Sequence, residues 1–209
     1  VAVLASALVA GIDRAASESL PVDADIPPPD AEFEAGKTYP KWAITGFLGA
    51  SASDSDLHEL FVQPWLADGE YGFAAVAVSR EVARFYEAFS IELEVGAGGR
   101  FGSDYNAAEA WVAGYLRYDD FPWNHVIRTT VAVSTGFDYV SDLPPDEAGD
   151  ADGESKVLHY FSPEITFALP DYANNELVLR WHHRSGVFGL FDGVRGGSNV
   201  VALGLRHRW

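Results

Sequence analysis

From residue 40 onward apolar and polar side chains alternate along the chain in runs of about ten to fourteen residues, and none of these runs keeps a helical period. The pattern predicts eight strands: 41–50, 71–80, 84–98, 107–118, 126–139, 157–169, 175–185 and 198–209. In 84–98, Phe85, Phe89, Ile91, Leu93 and Val95 fall on one face, against Tyr86, Ser90, Glu92 and Glu94 on the other. Segment 107–118 separates Val112 and Leu116 from Glu109, Trp111 and Arg117. Segment 157–169 separates Phe161, Ile165 and Phe167 from Tyr160, Ser162, Glu164 and Thr166, and 175–185 separates Leu177, Leu179 and Trp181 from Arg180, His182 and Arg184. The last segment sets Val201, Leu203, Leu205 and Trp209 against Arg206 and Arg208.

Eight is an even number, and the connections have a rhythm. Long ones (51–70, 99–106, 140–156, 186–197) alternate with short ones (81–83, 119–125, 170–174), which is how outer-membrane barrels place their loops and turns. A soluble eight-stranded barrel would have an oily interior and a polar exterior. Three features favour the inverse, membrane arrangement. The polar faces carry charges of both signs (Glu92, Glu94, Glu109 and Glu164 with Arg117, Arg128, Arg180 and Arg206), which can pair inside a narrow barrel. Trp42, Tyr71, Trp123, Tyr139, Trp181 and Trp209 cluster near segment ends, as interface girdles do. The last segment stops on Trp209 with apolar residues at alternate positions before it, His207 being an imperfect fit. The expected fold is therefore all-β, an eight-stranded antiparallel up-and-down transmembrane β-barrel over residues 40–209, in the cell outer membrane.

The first forty residues differ. The apolar run "VAVLASALVAG" predicts the remnant of a secretory signal peptide over 1–17, with Ala5-Ser6-Ala7 or Ala15-Ala16-Ser17 as its small-x-small site. Residues 18–39, acidic and Pro-rich, predict a disordered lead-in. No apolar run approaches the roughly 18 residues of a spanning helix. With 31 acidic against 14 basic residues the chain has a net charge of −17, which argues against a nucleic-acid partner. It has no cysteine, so neither disulfides nor cysteine-ligated metals are available. "HELFVQPW" (58–65) predicts a short amphipathic turn in the first long loop, and the glycine run "VGAGGRFG" (95–102), lacking a following helix, predicts a loop or a kink in the wall.

Chemistry concentrates in "LVLRWHHRSGVFG" (177–189). Strand parity puts Leu177, Leu179, Trp181, His183 and Ser185 on the lipid face, and His182 and Arg184 inside. The two adjacent histidines then cannot chelate one metal from a regular strand. His183 and Ser185, two apart, share a face, and an imidazole beside a hydroxyl is the raw material of a nucleophile–base pair. With both termini periplasmic, this pair sits at the outer end of its strand. Polar groups facing lipid are costly, and a substrate that is itself an outer-leaflet lipid would give them a purpose.

The stretch "HHRSGVFGLFDGVRGGSN" (182–199) resembles the PagL-type lipid A 3-O-deacylases, eight-stranded outer-membrane esterases with a His-x-Ser motif on the penultimate strand. The resemblance implies Ser185 as nucleophile and His183 as general base, acting on an acyl ester of lipid A in lipopolysaccharide, with no cofactor beyond possible calcium assistance. It also implies an acidic third member about a dozen residues after the serine. Here Arg195 stands in that place, and Gly186 replaces the polar residue that follows the family's serine. Asp192, His159 and Asn199 are the candidates to orient the pair or to donate to the oxyanion. Hairpin arithmetic puts residue 159 opposite Ser185 and Asn199 beside it. The acids of loop 141–155 (Asp142, Asp146, Glu147, Asp150, Asp152, Glu154) lack the spacing of a calcium loop and read first as a solvated segment. The competing reading is a non-catalytic barrel of the same superfamily that binds lipopolysaccharide or supports the envelope.

Overall fold

The computed structural model describes residues 41–52, 69–148 and 153–209. The leader (1–17), the acidic lead-in (18–39) and the amphipathic turn at 58–65 lie outside the described residues. The strands are β1 (Trp42–Ser51), β2 (Gly72–Phe85), β3 (Phe89–Phe101), β4 (Asn106–Tyr118), β5 (Arg128–Val140), β6 (Val157–Phe161), β7 (Glu164–Ala168), β8 (Asn175–Ser185) and β9 (Gly197–Arg208). Every pairing is antiparallel, and β1 pairs with both β2 and β9, which closes the ring. β6 and β7 are the two halves of one stave, both lying between β5 and β8 and interrupted at Ser162–Pro163. A proline has no N–H to give a ladder, so the wall breaks there. The result is an eight-stave barrel.

The pleat sorts the side chains as the alternation predicts, with the polarity of a soluble protein inverted. Ile44, Leu48, Val76, Leu93, Val95, Val112, Leu116, Phe137, Leu177, Leu203 and Leu205 stand exposed on the outside. The interior holds a layer of rings and small residues, with Phe47, Phe73, Trp111, Tyr115 and Tyr160 at its centre. Below it, at the end of the barrel where both chain termini of the ring lie, is a network of ions. Glu164 binds Arg117, Arg180 and Arg206 at 2.6–2.8 Å. Glu94 takes a second bidentate grip on Arg180, at 2.8 and 2.9 Å. Glu92 and Glu176 complete the set through Arg117, Arg206 and Arg208. Above the rings, Arg100 binds Glu109 through two contacts of 2.7 Å. Buried charges survive only when paired and hydrogen-bonded, and these are.

Several boundaries differ from the sequence expectation, each for a local reason. The first hairpin turns at 86–88, not at 81–83, with Tyr86 and Glu87 at positive φ (51° and 55°). A bulge between Glu81 and Ala83 shifts the register, so Glu81 and Arg84, three apart, can ion-pair at 2.8 Å. That bulge breaks the alternation and imitates a turn. The glycine run is neither loop nor kink but regular β3. A Cβ at Gly96 would stand 2.1 Å from the Trp111 ring, so the glycine makes room for the indole. With β3 reaching Phe101 and β4 starting at Asn106, the connection at 102–105 is short, while 119–127 at the opposite rim is longer, so the long–short rhythm is imperfect. Tyr71 is no girdle residue. It is buried, and its hydroxyl accepts from Arg100 Nη1 at 2.9 Å. Trp181 keeps outward parity but is covered by Ala52, Ile165, Leu179 and Val201.

Candidate active site

His183 and Ser185 occupy the last turns of the pleat in β8, on the outward face and half-buried, at the rim opposite the chain termini of the ring. Their inward neighbours go the other way. His182 is buried, with Nε2 2.8 Å from Glu109 Oε1 and Nδ1 3.2 Å from the Tyr160 hydroxyl. Arg184 reaches Asp138 at 3.2 Å and Glu147 at 3.4 Å. It also donates to the carbonyls of Ser155 and Lys156, tying the 141–156 loop to the site strand.

Among the sequence candidates, Asn199 is the one brought to the imidazole. It pairs with His183 across β8–β9, and its Oδ1 lies 2.7 Å from His183 Nδ1. An amide oxygen only accepts, so in this contact Nδ1 carries a proton, and in the neutral ring Nε2 then keeps its lone pair. This corrects the hairpin arithmetic by two residues: Asn199 faces His183, and Ser185 faces Gly197. His159 does lie opposite Ser185, as the arithmetic predicts, but its Nε2 engages Thr135 Oγ1 at 2.9 Å. Asp192, exposed and at φ 50°, accepts from Ser155 Oγ at 2.6 Å. Arg195 is exposed on the same loop. Among the described residues no hydrogen bond joins His183 to Ser185. Residues two apart on a strand face are separated by about 6.6 Å at the backbone, and hydrogen bonds of this kind often tighten only once substrate is bound. The Gly186 N–H donates to the Gly196 carbonyl at 3.1 Å, so it is not free for an oxyanion. The N–H groups of Val187 and Phe188 have no partner among the described residues. Both residues are at positive φ (48° and 56°), which is unfavourable for a β-branched and for an aromatic side chain.

Sequence reasoning missed two groups. The lumen cluster Glu109, Asp138 and His182 places three ligand-type atoms within 4.8 Å of one another. Arg100 already holds both oxygens of Glu109 and Arg184 stands against Asp138, so fixed positive charge occupies the ground of a cation. Parity alone could have placed Asp138 inside with His182. The second group is in the acidic loop. Glu147 turns inward onto Arg184, and burial pushes its carboxyl up. Burial and then the Glu147 charge push the Asp146 carboxyl up to about 6. Asp150 and Asp152 lie outside the described residues, and the described loop acids do not gather into a three-ligand group.

No family model matches the sequence, and no curated protein matches it. The fold does have solved counterparts. The outer membrane enzyme PagL is similar with a TM-score of 0.54 and 11% identity, over 80% of this chain and 99% of that one. Neisserial surface protein A (NspA) is similar with a TM-score of 0.52 and 13% identity, over 82% of this chain and 98% of that one. The fold is that of the outer-membrane β-barrels. At these identities the likeness speaks for the fold alone.

Proposed function

We propose that the protein is an outer-membrane esterase that removes an ester-linked acyl chain from lipid A of lipopolysaccharide. The observation that carries this reading is the 2.7 Å contact between His183 Nδ1 and Asn199 Oδ1 on the lipid-facing wall, one pleat from Ser185. The contact fixes the tautomer a general base needs, and does so where lipid rather than water is the neighbour. The similarity to PagL, an outer membrane enzyme, supports the reading at the level of architecture.

In this mechanism Ser185 Oγ attacks the ester carbonyl while His183 Nε2 takes the hydroxyl proton. Asn199 holds Nδ1–H and keeps the ring in register, a role a neutral amide fills without a buried carboxylate. The oxyanion is taken by backbone N–H groups of the turn after Ser185, those of Val187 and Phe188 being unpartnered. His183 returns the proton to the departing sugar hydroxyl. Water then attacks the acyl-serine with His183 again as base, and the fatty acid leaves. The route uses no metal or cofactor.

The test is a mass spectrum of lipid A from cells making the wild-type protein or Ser185→Ala. Loss of one acyl chain with the wild type and none with the variant is expected. Unchanged acylation in both, with the protein correctly inserted, would sink the esterase. A second reading, a barrel that binds lipopolysaccharide without cleaving it, draws on the missing hydrogen bond between His183 and Ser185 and on Arg195 in place of an acid.

A further inference from the structure

We propose that the turn at 187–191 is a membrane anchor that inserts Phe188 and Leu190 among the acyl chains of the outer leaflet, beside the site. Phe188, 95% exposed, is the most exposed large apolar side chain among the described residues, and Leu190, at 77%, follows Tyr86 of the other rim. Large apolar side chains held out of a fold mark an interaction surface, and continuity with the outer wall names the occupant. The turn leans toward that wall: the Phe191 ring lies 6.0 Å from Phe137 and 5.9 Å from His159, both outward-facing. Phe191 thus joins the turn to the apolar outer wall at Phe137.

The turn is also built to enter such a medium. Much of its backbone is paired internally: Gly189 and Phe191 N–H donate to the Gly186 carbonyl, Leu190 N–H to the Val187 carbonyl and Val194 N–H to the Phe191 carbonyl, while the N–H groups of Val187 and Phe188 have no partner among the described residues. Internal pairing lowers the cost of backbone in contact with lipid, and these bonds supply it for Leu190 at the tip and for the return through Val194. The base is rigid. Val194 is buried against Gly186, where a Cβ would stand 1.9 Å from the Val194 carbonyl oxygen. The left-handed backbone at Val187 and Phe188 is what turns the Phe188 ring outward. This inference needs the barrel to stand in a bilayer and is independent of whether Ser185 is a nucleophile.

The chain has no cysteine, so one introduced cysteine carries one spin label. Leu190→Cys, labelled with a nitroxide and reconstituted in phosphatidylcholine–phosphatidylglycerol vesicles, is compared with Leu93→Cys on the outer wall and Asp142→Cys in the acidic loop. Insertion predicts an oxygen-to-nickel-complex accessibility ratio at 190 that matches Leu93 and exceeds Asp142 several-fold. A ratio equal to that at Asp142 overturns the proposal. Should Leu190→Cys lose the heat-modifiable band of a folded barrel, Phe188→Cys carries the same measurement with the same two outcomes.

Discussion

The lumen and the outer wall near its rim both contain histidine, but they treat it in opposite ways. Inside, His182 is held on two sides by Glu109 and Tyr160, within a network where each arginine meets at least one carboxylate. Outside, one residue along, His183 has a single neutral partner among the described residues, Asn199, at Nδ1. Thr135, His159 and Ser185 complete a small polar island in an apolar wall. The lumen groups mostly hold charge by pairing with one another, Asp138 and Arg184 meeting as ions without a hydrogen bond, which is structural work. Polarity alone does not separate the two regions; the charge pairing of the lumen against the neutral partner of His183 does.

The largest effect that sharpens this contrast is Ser185→Ala, which under the proposed esterase function lowers deacylation of lipid A by about 10³-fold or more while leaving unfolding unchanged. Enzyme assay and urea denaturation from vesicles on the same preparation check both halves. Next comes the lumen. Glu164→Ala strips a shared partner from Arg117, Arg180 and Arg206, and should cost about 3–5 kcal/mol of stability in the same denaturation experiment. A loss below about 1 kcal/mol would mean that the network is not what holds the staves together. Asn199→Ala should lower kcat by about 10–10² with little change in KM or stability, and Asn199→Asp should recover most of it. If Asn199→Ala leaves kcat intact, the 2.7 Å contact is only packing, and the island resembles the lumen after all.

The smallest effect concerns the loop over the mouth. Asp146 has its pKa raised to about 6 from an ordinary 3.8, by burial and the Glu147 charge. The folded loop therefore binds more protons than the released loop between those values. Its docking is full at acid pH and weakens as pH rises through about 6. Limited proteolysis within 141–156 should be slower at pH 5 than at pH 8, with the barrel resistant at both. Asp146→Asn should remove the difference.

Much of this was legible in the sequence, because a pleat has a period of two and the chain obeys it. The inward set of Glu92, Glu94, Glu109, Arg117, Glu164 and Arg180 and the outward set of His183 and Ser185 follow from parity alone. What failed was information held in partners rather than in period. The bulge at Val82 looked like a turn because it reverses parity. The glycines of β3 looked like a loop because the indole that fills their missing volume comes from Trp111, on the next strand. Asn199 was misplaced by two residues because the β8–β9 register depends on where the 186–196 loop ends, which the alternation does not show. Glu147 was read as solvated because nothing local to it announces Arg184.

His183, Ser185 and Asn199 all come from one hairpin, β8 and β9 with the loop between them, and none of the lumen ion pairs passes through those three side chains. The proposed chemistry is thus carried on the outward face of one hairpin, within residues 183–199, while the inward face of the same hairpin ties into the lumen network. Such a barrel can lose or acquire a reaction by exchange of that one hairpin's outward residues, so two chains that share this architecture can differ in activity while differing hardly at all in shape.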